Sequence, residues 1–160
     1  GAGAGVYSWV EKGTTPSAIA RGLMGGGTST GTDDFIDKFT IQTPANATDF
    51  GNLFDDGEGM GSCADSTRGV WLGGNGSNTT IQYVTVASAG NASDFGDLIS
   101  GGSLATACAD ATRAVIGGGY NAGEGGLQNV MEYITIQTTG NATDFGDMTD
   151  DYNNRGGLAA

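Results

Sequence analysis

The pentapeptide ATDFG at 47–51 returns as ASDFG at 92–96 and as ATDFG at 142–146. A single Asp-Phe-Gly suggests the magnesium-binding corner of a kinase. Three copies in 160 residues cannot each be that corner. What recurs is a structural unit. Asp49, Asp94 and Asp144 lie 45 and 50 residues apart. Arginines keep the same schedule: Arg21, Arg68 and Arg113 are spaced 47 and 45, each shortly before a Gly-Gly pair, and Arg155 follows after 42. A chain of this kind must repeat one supersecondary unit, each copy burying its apolar face against the next.

Each unit has the same grammar. A short apolar run ending in Gly-Gly predicts a strand entering a turn. A loop of changing content follows: TSTGTDD, NGSNT or YNAGEGGLQN. A stronger strand comes next, as IDKFTIQT, IQYVTVAS or MEYITIQT, with Val84 and Val86 on one face and Tyr83 and Thr85 on the other. A Gly-Asn or Ala-Asn turn leads into DFG, and a looser Gly- and Asp-rich stretch returns to the next arginine. No window holds a helical period. Glycine is abundant at 31 residues, but with two prolines and no three-residue period the chain is not collagen. Beside Thr, Val and Ile, such glycine predicts tight turns between short strands.

The predicted class is therefore all-β. Units of this length predict propeller blades, since solenoid coils are shorter. The expected organisation is one domain over 1–160. Repeats occupy 15–60, 61–106 and 107–152, with an N-terminal closing strand in 1–14 (around VYSWV) and a partial repeat in 153–160. The two ends would complete one blade of a small propeller of about four blades, within one chain or between chains. Without an initiator Met, the chain is either trimmed or a processed piece.

Phe50, Phe95 and Phe145 are expected as core plugs between sheets. Gly51, Gly96 and Gly146 would permit backbone turns that a side chain hinders. The matched periods suggest that Asp49, Asp94 and Asp144 pair with Arg68, Arg113 and Arg155. Cys63 and Cys108 each stand five residues before an arginine and so occupy one repeat position. Two small buried thiols are favoured there over a disulfide.

The absence of histidine removes Ser-His-Asp and Cys-His nucleophiles and most zinc and copper sites. A net charge of −12 would repel nucleic acid and anionic membrane surfaces. No apolar run is long enough to cross a bilayer. GGGTSTGTDD at 25–34 lacks the Gly-Lys-Ser/Thr ending of a phosphate loop, and GEGMG at 57–61 precedes no helix. The acid clusters at 32–34, 55–58 and 147–151 read as solvated turns, with calcium as the one cofactor they could take. The N-x-S/T triplets at Asn46, Asn75, Asn78, Asn91 and Asn141 are explained by turn chemistry.

The pattern T-R-G-V-x-x-G-G, then I-x-Y-V/I-T-V/I, then G-N-A-T/S-D-F-G-D-L, resembles kelch-like repeats of tailed-bacteriophage virion proteins over about residues 15–156. It departs from a standard kelch repeat in one respect: Trp9 and Trp71 do not occupy equivalent places. The resemblance implies a non-enzymatic virion structural protein on the particle exterior, as capsid decoration, tail or fibre component. Its implied partners are other virion proteins and further copies of itself. The alternatives are a secreted carbohydrate-binding adhesin module and, less favoured, a small propeller glycoside hydrolase. Variable loops on a rigid scaffold are where recognition is expected. Trp71, Asn75, Tyr120 and Asn121 beside those loops are the candidate contacts to host-surface glycan, with packing between units as the competing role for Trp71 and Tyr120.

Overall fold

The computed structural model describes residues 21–28, 31 and 33–159. The expected closing strand in 1–14 lies outside them. The described chain is all-β apart from one short 3-10 turn. Three sheets follow one another along the sequence, and each is an antiparallel meander. The first holds β1 (Arg21–Gly25), β2 (Phe35–Thr40) and β3 (Thr48–Asn52). The second holds β4 (Gly61–Ala64), β5 (Arg68–Leu72), β6 (Thr80–Thr85) and β7 (Ser93–Asp97). The third holds β8 (Thr106–Ala109), β9 (Arg113–Gly117), β12 (Val130–Thr135) and β13 (Thr143–Asp147). Between β9 and β12, the hairpin β10 (Tyr120–Asn121) and β11 (Gly126–Leu127) folds out of the longest loop.

Strands β4 and β8 come from stretches read as loose returns. GSCA and TACA are too short and small to show alternation, but each is turned back by an aspartate. Asp65 Oδ1 accepts from the N–H groups of Thr67 and Arg68 at 2.7 Å, and Asp110 Oδ1 from Thr112 and Arg113 at 2.7 Å. This Asx-type turn delivers the chain into β5 and β9. β4 also meets β8, so the first strands of successive sheets converge.

The recurrent Asp-Phe-Gly is a β-bulge. In each sheet the register shifts after Ile36, Ile81 or Met131, which pair with Gly51, Gly96 and Gly146. Phe50, Phe95 and Phe145 are the extra residues, left without a partner in the ladder and turned onto the face that looks to the following sheet.

The sheets pack face to face through two cores. Ile36, Phe50 and Leu53 of the first sheet meet Trp71, Val84 and Ala92 of the second. Val70, Leu72, Ile81 and Phe95 of the second meet Ala114, Ile116, Ile134 and Ile136 of the third. The middle sheet is thus covered on both faces, and its β5 is buried from Gly69 to Leu72. The first and third sheets each keep one uncovered face, and no ring is closed among the described residues. Phe145 consequently departs from its expected role: it is 48% exposed where Phe50 and Phe95 are 2% and 3%.

Candidate recognition surface

Polar ties between sheets repeat as faithfully as the cores. Gln82 and Glu132 hold one register position, in the middle of β6 and β12, and both are buried. Gln82 Oε1 accepts from the N–H groups of Phe54 and Asp55, while its Nε2 donates to Asp55 O at 2.8 Å. Glu132 accepts from Ile99 N at 2.6 Å and Ser100 N at 2.8 Å. Each therefore holds the return segment of the preceding sheet. Sequence reasoning missed both, because a polar residue mid-strand reads as solvent-facing. The available signal was the recurrence of Asp37, Gln82 and Glu132 at one place in the repeat.

The expected aspartate–arginine pair does not form among the described residues. Arg68 stacks on Tyr83 at 4.4 Å from the ring centroid and donates to Ile136 O at 2.8 Å. Arg113 stacks on Tyr133 at 4.3 Å. Arg21 donates to Val86 O. Asp94 and Asp144 turn inward on their own bulge, accepting from Gly96 N and Gly146 N at 3.1 Å, and Asp49 is exposed. Arg155 does not belong to the arginine series. It lies outside any strand and stacks on Tyr152, 3.4 Å from the ring centroid.

Titratable groups follow these contacts. Burial, then the two acids Glu124 and Asp144, push the Glu132 carboxyl up against the pull of its N–H donors. Partial burial acts to raise Asp65, but the N–H donors of Arg68 and Thr67 and the Gln137 amide outweigh it, so its pKa is lowered. Asp110 is lowered by the N–H donors of Arg113 and Thr112. Cys63 and Cys108 sit on the converging strands β4 and β8 as free thiols. Burial, with Cys108 and Asp65 nearby, pushes the Cys63 thiol up to about 12, so it is protonated and unreactive at neutral pH.

Glu132 yields a pH prediction. A raised folded pKa means that the folded state holds the proton more tightly. Stability from this group is full below 4.5 and is lost as pH climbs through the raised folded value. Glu132→Gln, which installs the side chain found in the second sheet, should remove that loss. Its stability advantage over wild type should therefore grow with pH and level off near neutrality in urea titrations. Glu132→Ala leaves two part-buried N–H groups without an acceptor and should cost about 1–3 kcal/mol at neutral pH. The lowered Asp65 and Asp110 act oppositely: their contribution is present above 3.8 and lost as pH falls through their folded values.

Residues 26–28 after β1 and the loops between β5 and β6 and between β9 and β12 meet the return segments 53–60 and 98–105 along one rim, where Gly27 N donates to Gly57 O, Asn75 N to Glu58 O, Gly74 N to Gly102 O and Tyr120 N to Ser103 O. Of the predicted glycan contacts, Trp71 is 5% exposed, wedged between the first two sheets, and Asn121 is 4% exposed. Neither presents its side chain on the rim. Asn121 instead accepts from Gly123 N at 2.9 Å and caps the 3-10 turn 122–124. Asn75 stitches loops together: its Oδ1 accepts from Glu58 N at 3.1 Å and its Nδ2 donates to Asp56 O at 2.9 Å. Asn75 stays exposed while making these bonds, and Tyr120 is presented as well, 41% exposed, with Leu127 directly opposite in the hairpin at 46%. Ser77 Oγ accepts from Gly123 N at 3.2 Å, fastening this hairpin to the neighbouring loop.

The acid clusters serve the scaffold where their contacts are seen. Asp55 accepts from Asn78 Nδ2 at 2.8 Å and Thr80 Oγ1 at 3.1 Å. Among the described residues, no three acidic or cysteine side chains converge as metal ligands do. No helix there is long and apolar enough to cross a membrane. The rim thus offers an aromatic ring and an aliphatic side chain on a stitched, rigid base. No protein-family model matches this chain, and no curated protein matches it.

Proposed function

We propose that this chain is a non-enzymatic structural protein of a tailed-phage virion, exposed on the particle exterior as decoration, tail or fibre component. In this reading its sheets are kelch-like blades of a β-propeller type, and its partners are other virion proteins and further copies of itself. One observation carries the reading. The buried polar side chains and the bulge glycines are spent on locking each sheet to the next, while variation between repeats is confined to the rim loops. That is the economy of a rigid, repeated scaffold. Meander sheets packed face to face, with converging first strands, suit propeller blades.

On this scaffold the Tyr120–Leu127 hairpin is the part suited to a sugar face, an aromatic ring over apolar C–H groups beside solvent-exposed polar loops. Gold-labelled antibody against the chain should decorate purified phage particles at a regular site, seen by electron microscopy. Label found on the bacterial surface and absent from particles would overturn the virion reading in favour of a secreted adhesin module.

A further inference from the structure

We infer that the uncovered face of the third sheet is the docking site for the uncovered face of the first sheet of a second copy of this chain, in a head-to-tail contact. The inference deepens the reading above by naming the surface through which copies meet. It is tested on the purified chain alone, so it can fail while particle labelling succeeds, and the reverse.

The chain contains this contact twice already. The face that looks forward from the first sheet presents Arg21, Leu23, Ile36 and Phe50. The corresponding face of the second presents Arg68, Val70, Ile81, Tyr83 and Phe95. The third sheet repeats that surface with Arg113, Val115, Met131, Tyr133 and Phe145, and among the described residues no further sheet covers it; only the end of the chain, at Ala159, touches its margin. Its geometry is preset. Tyr133 meets Phe145 edge-on at 6.2 Å and 73°, as Tyr83 meets Phe95 at 5.8 Å and 84°. Arg113 lies over Tyr133 as Arg68 lies over Tyr83. Arg113, Val115 and Phe145 line an open groove with Ala159.

The receiving face is repeated as well. Trp71 and Ile116, Val86 and Ile136, and Ala92 and Ala142 take matching places in the second and third sheets. In the first sheet those places hold Met24, Ile41 and Ala47. Trp71, Ile116 and Ile136 are 5%, 3% and 0% exposed, but Met24 and Ile41 are 66% and 63% exposed. Asp37, exposed, stands where Gln82 and Glu132 are buried.

Backbone groups match too. Phe50 O accepts from Gly90 N at 2.8 Å and Asn52 O from Ala92 N at 2.7 Å. One sheet later, Phe95 O accepts from Gly140 N at 2.7 Å and Asp97 O from Ala142 N at 2.8 Å. In the docked pair, Phe145 O and Asp147 O would accept from Ala45 N and Ala47 N of the second copy. Arg113 would donate to Ile41 O of that copy, as Arg68 donates to Ile136 O. Both faces are held rigid before contact, so little ordering opposes association. The two faces differ, so the contact is heterologous: it closes a ring of copies or extends a row.

Sedimentation velocity over a wide concentration range tests this. Wild type should associate reversibly. Phe145→Asp disables one face and Met24→Asp the other, and each alone should weaken association at least about a hundredfold. An equimolar mixture of the two should recover a discrete dimer through the one intact pair of faces. Arg113→Glu and Ile41→Asp are the second pair of variants if either of the first unfolds by circular dichroism. A wild type that stays monomeric at every concentration, or single variants that associate like wild type, or a mixture that does not dimerise, would overturn the inference.

Discussion

Gly96→Ala should cost about 4 kcal/mol of folding stability, whereas Gly146→Ala, the same substitution in the same motif, should cost about half as much. The three bulge glycines share a backbone that L side chains rarely adopt, with φ of 151° at Gly51, 145° at Gly96 and 128° at Gly146. That strain is common to all. What differs is the neighbour. A Cβ on Gly96 would lie 2.5 Å from the carbonyl of Gly140, and one on Gly51 would lie 2.4 Å from Gly90 O. Both obstacles are backbone of the next sheet and cannot swing aside. A Cβ on Gly146 meets nothing within 4 Å. Urea unfolding, followed by fluorescence at dilutions where the chain is monomeric, measures the difference. Equal losses at Gly96 and Gly146 would mean that sheet-on-sheet contact does not govern these positions.

Trp71→Ala should be the most damaging single truncation, at about 3–5 kcal/mol. The indole fills the space between the first two sheets, with Gly25 so close that a Cβ there would sit 3.1 Å from Trp71 Cε2. Its loss opens a cavity walled by strands that are already paired and cannot collapse inward. Met24→Ala, at the matching position of the first sheet, should change stability by no more than about 0.5 kcal/mol. Unfolding of both variants is best followed by circular dichroism, since Trp71 is one of the two tryptophans that report by fluorescence. Against a typical domain stability of about 5–15 kcal/mol, the Trp71 variant would be marginally folded. A Met24 variant as unstable as the Trp71 variant would show that the first sheet's outer face is covered.

Much of the fold was legible because the repeat repeats its errors as well as its signals. The alternating strands IQYVTVAS and MEYITIQT became β6 and β12, and the Gly-Gly pairs do end β5 and β9. The Phe of each DFG was read as a core plug, which holds for Phe50 and Phe95. Phe145 shows the limit. Its local sequence is the same, and its exposure depends on a neighbouring sheet that follows in the other repeats. Strands β4 and β8 were lost for a different reason. Four small residues carry no hydrophobic period, and their place is set by the Asx turns at Asp65 and Asp110 and by packing of one against the other.

The site was less legible. Trp71 looked like a loop aromatic because Gly-Gly follows it two residues on, but alternation along β5 sends it inward. The matched period of aspartates and arginines was real and still misleading. A shared period shows that two residues recur together, not that they touch. The arginines found carbonyls and tyrosine rings, and Asp94 and Asp144 capped their own bulges. Of the predicted contacts Asn75 and Tyr120 remained outward, Tyr120 on a hairpin that the other loops are too short to form.

The interchangeable faces carry a consequence for how such a chain arises and changes. The two contacts between successive sheets use the same arginine-to-carbonyl bond, the same bulge and the same kind of buried amide or carboxylate. An in-frame duplication of one unit would therefore insert a ready-made sheet with both of its contacts already satisfied, and a deletion would rejoin two compatible surfaces. Length is free to vary by whole units over generations, while the loops diverge without disturbing the fit. The slightly unequal spacing of the three copies, with the extra residues in the loops at 26–34 and 118–129, is the trace such a history would leave.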